Sequence, residues 1–335
     1  MTYSETGRST TRTGTSKEPP CPVCAGTTRV CFPEIWDDRY GYSGVFRMNR
    51  CGRCGHRHIV TTLEPRHLVR LYSQFYPRSR LSLDDFAPYE ESFGVRAWWS
   101  GDRGSAFRWV PRNVRVLDIG CGFGQTLAYH RQRGCEVWGV EADENIRRVA
   151  DRFGFNVHIG VFDSSAYEPD YFDYVTLDQV VEHSLDPKRL LLGIAKVLKP
   201  GGVAILSTPN PSGLLARVLG RYWLNWHVPY HLQFFTKRSM RELGATAGLA
   251  LESTRTATSS EWMLYQWLHL LAYPALGQPS PFWSSQNAER GRLYRLAYQI
   301  ATRVHRLRVN HVATRILDLL GLGDGRLYML RKPAG

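Results

Sequence analysis

The sequence has no long hydrophobic run. Its longest apolar stretch, residues 262–277, is interrupted by Gln266, His269 and Pro274 and falls short of the roughly 20 apolar residues that a membrane-spanning helix needs. The N-terminal residues 1–20 have neither an apolar core nor a small-residue cleavage site, so no signal peptide is expected. We therefore expect a disordered polar tail over residues 1–18, and a cytoplasmic protein whose cysteines are reduced.

Acidic residues are scarce relative to basic ones. The 335 residues include 43 Lys and Arg against 30 Asp and Glu, which gives a formal net charge of +13. This excess favours an anionic partner, either nucleic acid, a phosphorylated metabolite or a negatively charged membrane surface. A hydrophobic share of 43% is ample for a packed core and excludes a chain that is disordered throughout.

From residue 114 onward the sequence alternates between strand-like and helix-like patterns. Strands are predicted at VRVLDIG, EVWGVEAD, NVHIGVFD, FDYVTLDQVV and VAILSTPNP, with helical patterns between several of them. This alternation is typical of βαβ units on a parallel sheet, and so predicts an α/β, Rossmann-like, doubly wound fold. Other patterns flank this region: helix-like at 65–76, 87–110 and 261–322, and a closing strand at 325–332.

The first strand ends in a glycine-rich turn, Asp118-Ile119-Gly120-Cys121-Gly122-Phe123-Gly124. Glycines at such a turn let the backbone approach a ligand closely, and the N-terminus of the next helix offers free N–H groups. The dinucleotide fingerprint would need a third glycine where Gln125 stands, which argues against NAD. Glu141 ends the second strand, where a carboxylate can accept both hydroxyls of a ribose. The alternative is a structural turn with surface acids.

The order of these motifs resembles that of the class I S-adenosylmethionine (SAM)-dependent methyltransferases, in their small-molecule branch (types 11 and 23), over residues 114–251. The resemblance implies a seven-stranded sheet with an antiparallel last strand, SAM as cofactor, and methyl transfer to an electron-rich O, N or C atom. It assigns Asp163 to the adenine, Phe162 to the ring face and residues 177–183 to the methionine end. The cofactor-binding residues that it implies are Asp118, Gly120, Cys121, Gly122, Gly124, Glu141, Asp143, Phe162, Asp163, Asp178 and Gln179.

Two cysteine pairs precede this region. Cys21-x2-Cys24 and Cys51-x2-Cys54 are separated by 26 residues, a spacing at which four thiolates can surround one zinc ion tetrahedrally. We predict a structural zinc site in a ribbon over residues 19–62, with unmetallated cysteines as the alternative. Two such pairs ahead of this core resemble the zinc-ribbon sugar C-methyltransferases of deoxysugar biosynthesis, and also some ribosomal-RNA guanine methyltransferases. Spare ligands are Cys31, His56 and His58.

Three histidines are candidate general bases. His227 and His231 lie in a loop after the fifth strand, whose W…H-L-x-F-F-T pattern resembles one in small-molecule methyltransferases related to the quinone O-methyltransferases. His183 follows the fourth strand, beside the expected methyl donor. Imidazole titrates near neutrality, so each ring could take a substrate proton. The alternative is that these histidines order their own loops.

Two motifs of nucleic-acid methylation are absent. The Asn/Asp-Pro-Pro-aromatic motif used on base amino groups does not follow the fourth strand, where LDQVVEH stands. The loops after the fourth and fifth strands also lack a cysteine that could attack a cytosine ring. Both absences lower the expectation of an RNA substrate without excluding it.

A basic helical insert precedes the closing strand. Residues 286–316 contain seven Arg and one acid, Glu289, so the local charge is seven minus one, or +6. Aromatic residues lie just upstream. Three interpretations stay open: the solvated face of a helical cap, contact with an anionic membrane, or binding to the phosphates of RNA or a nucleotide sugar.

These patterns divide the chain into six predicted parts: tail (1–18), zinc ribbon (19–62), helical N-terminal cap (63–112), SAM-binding core (113–258), basic helical insert (259–322), and last strand with its tail (323–335). The predicted function is that of a SAM-dependent methyltransferase acting on a small or carrier-linked, anionic metabolite, with a sugar or glycolipid of envelope or natural-product biosynthesis placed first. An rRNA or tRNA methyltransferase and a non-catalytic SAM-binding scaffold are the alternatives. Peripheral contact with the inner face of a membrane, through residues 261–316, is left open.

Overall fold

A computed structural model of the chain describes residues 18–61, 86–92, 94–283 and 291–334, together with 71 and 83. The predicted tail over 1–18 and helix over 65–76 fall almost entirely outside the described residues, as does the segment 284–290 of the insert. Among the helices that are described, none is both long enough and apolar enough to span a bilayer.

The described part of the chain contains strands of two sheets and the helices that connect them. The strands are β1 (Thr28–Trp36), β2 (Val45–Cys51), β3 (Arg57–Val60), β4 (Arg115–Ile119), β5 (Glu136–Glu141), β6 (Asn156–Ile159), β7 (Phe172–Asp178), β8 (Leu198–Pro209), β9 (Gln233–Phe234), β10 (Ala250–Thr256) and β11 (Gly325–Arg331). The helices are α1 (Gly94–Ser100), α2 (Gln125–Gln132), α3 (Ile146–Phe153), α4 (Pro187–Val197), α5 (Leu214–Val218), α6 (Lys237–Thr246), α7 (Ser260–Leu271), α8 (Arg292–Arg306) and α9 (Val309–Leu319).

The larger sheet has seven strands in the order β10-β11-β8-β7-β4-β5-β6. Strands β4 to β8 run parallel to one another, whereas β11 pairs antiparallel with both β8 and β10. The order reverses at β4, with helices in the connections, which confirms the predicted Rossmann-like, doubly wound fold and its antiparallel last strand. The main core packs β4, β7, β8 and β11 against α4 and α6.

Local sequence signals explain where two of the core helices begin. Asp186 precedes α4, and its carboxylate accepts from the N–H of Arg189 at 2.9 Å, with Pro187 at the first helical position. Thr236 precedes α6, where its hydroxyl accepts from the N–H of Ser239 in a reciprocal capping box. Both devices satisfy N–H groups that a helix start leaves without a partner.

The smaller sheet joins the N-terminal segment to the core. It is antiparallel, in the order β1-β2-β3-β9, and β9 belongs to the loop that follows β8 and α5. Arg57 pairs with Phe234, and the N–H of Ile59 donates to the carbonyl of Leu232 at 3.0 Å. The predicted ribbon segment is therefore hydrogen-bonded to the loop that carries His227 and His231.

Two predicted elements differ from those observed. The helix-like pattern over 87–110 forms only α1 and two 3₁₀ turns, at 102–104 and 106–109, because Gly101 adopts a left-handed φ of 82° that ends the helix. Strand β8 begins at Leu198, ahead of the predicted strand VAILSTPNP, and so includes Lys199-Pro200-Gly201-Gly202. A register shift between β7 and β8 absorbs this irregular start.

Candidate functional site

A cavity of about 520 Å³ opens at the carboxyl ends of β4, β7 and β8. Ligands of doubly wound sheets bind at this edge. The core supplies one side of the cavity, and the N-terminal segment, residues 89–107 and α7 supply the other. Its wall includes Arg39, Tyr89, Phe107, Gly120, Cys121, Gly122, Asp178, Gln179, His183, Ser207, Asn225, His227, His231, Trp262 and Asp324.

The glycine-rich turn after β4 forms a backbone cradle. Gly120, Gly122 and Gly124 have φ values of 79°, 54° and 78°, which residues with a side chain rarely adopt. A Cβ on Gly120 would lie 2.4 Å from Cγ2 of Val180. No atom lies within 4 Å of the Cβ position of Gly122, so the turn presents bare backbone to a ligand. Cys121 is buried in the core behind it.

Asp118 lies beneath this turn, not inside it as predicted. Its carboxylate is buried and accepts from the hydroxyl of Thr176 at 2.6 Å and from that of Thr126 at the start of α2. Burial raises the pKa of Asp118 to about 7, although the two hydroxyl donors oppose the rise. The side chain therefore positions the glycine turn and holds it against β7.

Glu141 fastens the same turn from the end of β5. One carboxylate oxygen accepts from the N–H of Gly122 and the other from the N–H of Asp143, both at 2.9 Å. Burial raises the pKa of this carboxyl. Each oxygen has a second lone pair, so the carboxylate can still accept the hydroxyls of a ribose. Asp143 itself accepts from Asn145 ahead of α3, at 3.0 Å from its backbone N–H.

Phe162 and Asp163 lie apart from the cavity wall. Phe162 stacks on Tyr167 with ring centroids 6.1 Å apart. The exposed carboxylate of Asp163 accepts from the N–H of Ser165 at 2.9 Å, which lowers its pKa. Their assignment to the adenine ring stays a prediction from the resemblance, and the structure does not bring them to the cavity.

Asp178 and Gln179 end β7 at the cavity. The carboxylate of Asp178 accepts from the N–H of Ala106 at 2.6 Å and from the hydroxyl of Ser207 at 2.5 Å, and burial raises its pKa. Gln179 has a φ of 54°, and its amide donates to the Ser207 hydroxyl at 3.2 Å. Asp178 thus fixes the 3₁₀ turn 106–109 over the cavity.

The three predicted histidines meet in one cluster. The ring centroids of His183 and His231 are 4.8 Å apart, and those of His227 and His231 are 4.9 Å apart. Nδ1 of His183 lies 2.8 Å from the Tyr230 carbonyl, and Nδ1 of His231 lies 2.9 Å from the Asn225 carbonyl. A carbonyl oxygen only accepts, so Nδ1 of each ring donates, and in neutral His231 the Nε2 atom carries the lone pair.

Burial keeps these rings neutral. It lowers the pKa of His183 to about 4 and those of His227 and His231 well below their ordinary range. The positive charge of Arg39 lowers the pKa of His227 further. At neutral pH the cluster therefore holds uncharged imidazoles that can accept a hydrogen bond or a proton.

Two buried charged residues near the histidines were not singled out from sequence, although one of them, Glu182, lies within the predicted stretch 177–183. Glu182 is fully buried, and burial raises its pKa to about 8, although a hydrogen bond with the Thr208 hydroxyl opposes the rise. Ligand atoms of Glu182, His183 and His231 lie within 4.8 Å of one another, so the three side chains could hold a cation. Arg39 reaches the cavity from the turn between β1 and β2. The position of Glu182 next to His183 in the sequence is a signal that could have identified it. No sequence signal could have identified Arg39.

The four predicted zinc ligands come together at the other side of the smaller sheet. Sγ of Cys21 lies 3.6 Å from that of Cys54, and Sγ of Cys24 lies 3.5 Å from those of Cys51 and Cys54. Four sulfurs bound to one zinc at 2.3 Å are about 3.8 Å apart. The cluster thus fits a structural zinc ion. Cys31 lies apart, and its thiol donates to the Met48 carbonyl.

The chain also matches a known protein family. Residues 76–254 match the family model described as "Methyltransferase domain" (Methyltransf_23), which is more than half of the chain. A ubiquinone biosynthesis O-methyltransferase of Aeromonas salmonicida is 31% identical over 179 residues, which cover 49% of this chain and 73% of that protein. One of Pseudomonas fluorescens is 31% identical over 185 residues, covering 46% and 78%.

A SAM-dependent methyltransferase from Archaeoglobus fulgidus is 21% identical, with a TM-score of 0.40, over 68% of this chain and 88% of that chain.

Proposed function

The chain belongs to the SAM-dependent methyltransferases, and from that membership we propose that it methylates a hydroxyl oxygen of a small or carrier-linked metabolite. The observation that carries this proposal is the histidine cluster, in which His231 carries an Nε2 lone pair and lines the same cavity as the glycine turn. The O-methyltransferase names of the relatives from Aeromonas and Pseudomonas support oxygen as the acceptor atom.

The protein's part in this reaction is to position the acceptor and to take up a proton. Bound SAM supplies a methyl group that is already activated on a sulfonium, so approximation and orientation account for most of the catalysis. The Asn225 carbonyl fixes the ring of His231 through Nδ1. Nε2 of His231 would accept the proton of the acceptor hydroxyl as that oxygen is methylated, and would then release it to solvent. His183 and His227 hold that ring from either side.

For the acceptor, we place first a sugar or glycolipid of envelope or natural-product biosynthesis. The four-cysteine cluster ahead of the core supports this choice through the resemblance to zinc-ribbon sugar methyltransferases. A phenolic acceptor, by analogy with the ubiquinone-pathway relatives, is the second choice. The two classes differ in mass and retention, so one product analysis distinguishes them.

The test is methyl transfer from isotope-labelled SAM to a fractionated cell extract, followed by mass spectrometry of the product. With the acceptor so identified, we expect His231→Asn to lower kcat by roughly 100-fold, with the Kd for SAM changed less than threefold. His158→Asn, at an exposed histidine on β6, is the matched control. Wild-type turnover in His231→Asn would refute the assignment of the base, and a label on nitrogen or carbon would refute O-methylation.

An RNA acceptor is the competing proposal, supported by the exposed arginines of α8. Phosphate contacts make RNA binding fall steeply with salt. We expect total cellular RNA to gain no label and to bind no more tightly at 50 mM than at 200 mM salt. Labelled RNA would replace the small-molecule proposal.

A further inference from the structure

Arg39 is a buried cation in the cavity wall. Its side chain is only 3% exposed, and one guanidinium nitrogen, Nη2, donates to the Leu224 carbonyl at 2.7 Å. Its backbone N–H donates to the Asp37 carboxylate at 2.9 Å, which shapes the turn between β1 and β2. The first contact holds the side chain in place, and the second holds the backbone that carries it.

The guanidinium has no counter-charge among the described residues. The ion pairs found there do not include Arg39, and its Nε is buried without an acceptor. The rings of Trp283 and Trp262 lie 4.6 Å and 5.8 Å from its central carbon, which offsets part of the cost of burying the charge. An unpaired buried charge is otherwise costly.

We infer that Arg39 binds an acidic group, carboxylate or phosphate, of the methyl acceptor. This inference rests on the proposed small-molecule function. Guanidinium groups bind both anions through paired N–H donors, and Arg39 lines the same cavity wall as His227 and the proposed base, His231. The N-terminal segment thereby contributes a specificity residue to the methyl-transfer cavity.

The test uses the full chain saturated with S-adenosylhomocysteine and two pairs of probes, in isothermal titration. Dihydroxybenzoate is compared with catechol for the carboxylate, and thymidine diphosphate with thymidine for the phosphate. We expect at least one charged probe to bind tenfold more tightly than its neutral partner, and this preference to vanish in Arg39→Met. Arg53→Met, at an exposed arginine of the same segment, should keep it.

Three results would overturn the inference. The first is no preference for either charged probe in the wild type. The second is an unchanged preference in Arg39→Met. The third is a tenfold weaker binding of S-adenosylhomocysteine in Arg39→Met with the preference retained, which would assign Arg39 to the cofactor's carboxylate. All three are binding measurements, so they are separate from the transfer assay that tests the proposed function.

A second, independent observation concerns the insert. Helices α8 and α9 and the turn between them expose an aliphatic face, with side chains 46% to 84% exposed at intervals of mostly three or four residues. In α8 and α9 these residues share the spacing of an amphipathic stripe. They are Leu293, Leu296, Ile300, Leu307, Val309, Val312, Ile316, Leu319 and Leu320. Contiguous apolar surface of this kind marks an interaction site.

Exposed arginines lie next to the aliphatic face of α8 and α9. Residues 291–317 contain no Asp or Glu, and exposed arginines occur along one side of α8 and at the turn: Arg292, Arg295, Arg303, Arg306 and Arg308. A second copy of the same face would bring these charges against each other. We propose that the α8–α9 face docks on an anionic membrane surface, which matches both its aliphatic and its cationic side chains. Because α8 packs on α7, which lines the cavity with Trp262, docking would hold the cavity near a lipid-linked acceptor.

Vesicle sedimentation of the full chain tests this surface. We expect binding to phosphatidylglycerol vesicles and not to phosphatidylcholine vesicles, with at least a tenfold loss in Leu293→Ser/Leu296→Ser/Ile300→Ser. The control, Leu185→Ser/Leu192→Ser/Val218→Ser, changes exposed aliphatic residues elsewhere and should bind normally. Equal vesicle binding by the two triple variants would overturn the membrane proposal. So would a concentration-dependent dimer that forms without vesicles and that only the first triple variant abolishes. Unchanged binding of SAM establishes that each variant is folded.

Discussion

Asp118 shows how a single buried carboxylate can hold a glycine-rich turn in place. Its oxygens accept from Thr126 and Thr176, and its folded pKa, about 7, lies above the ordinary value of about 3.9. The folded state therefore holds a proton that the unfolded chain loses, and this contribution to stability disappears as pH rises through 7. We expect Asp118→Asn to gain stability relative to the wild type between pH 5 and pH 8, in urea unfolding, and to change the Kd for SAM less than tenfold. A tenfold or greater loss of SAM binding would return Asp118 to direct contact.

Site residues were best predicted from the sequence where a motif fixes the backbone conformation. The glycine turn, Glu141 and the cysteine pairs could all be located because their spacing has a local physical reason. Arg39 could not be located, since its partner groups lie 185 residues away at Leu224 and on the insert. The side of the turn on which the Asp118 carboxylate lies could not be predicted, because sequence gives the turn but not that orientation.

At the scale of elements, periodicity predicted the parallel strands and the helices between them well. It failed over 87–110, where Gly101 ends α1 and the Asp178 carboxylate accepts from the N–H groups of Ala106 and Phe107 at the start of a separate 3₁₀ turn. The pairing of β3 with β9 could not be predicted either, because a two-residue strand has no periodicity. That pairing nevertheless joins the cysteine segment to the histidine loop.

Zinc removal should therefore affect the site and not the ribbon alone. Thr236 donates to the Cys54 carbonyl at 2.8 Å, and His56 lies 2.8 Å from the Gln233 amide oxygen, so loss of the cluster frees the loop of His227 and His231. We expect about one zinc per chain in elemental analysis, and at least a tenfold loss of methyl transfer in Cys51→Ser, with SAM affinity within threefold. Cys31→Ser should keep both metal and activity. Metal-free protein with full activity would contradict this coupling.

At the scale of the whole molecule, the cavity is built by four parts of the chain. The core supplies the glycine turn and the histidines. The N-terminal segment supplies Arg39, residues 89–107 supply Tyr89 and Phe107, and the insert supplies Trp262. The core alone leaves the cavity without its outer wall. The net charge of +13 is also unevenly distributed among these parts, since many exposed arginines lie on α8, outside the cofactor fold.

Cofactor binding should then slow hydrogen exchange in segments that are distant in sequence from the glycine turn. Asp178 couples the turn 106–109 to the cofactor edge, and Arg39 couples the N-terminal segment to the histidine loop through Leu224. Local opening of such segments requires breaking these contacts, and a ligand in the cavity opposes it. In hydrogen-exchange mass spectrometry, we expect S-adenosylhomocysteine to protect the glycine turn, residues 103–109 and residues 37–42, while α8 exchanges unchanged. Protection confined to the glycine turn would mean that the core binds the cofactor independently of its surrounding parts.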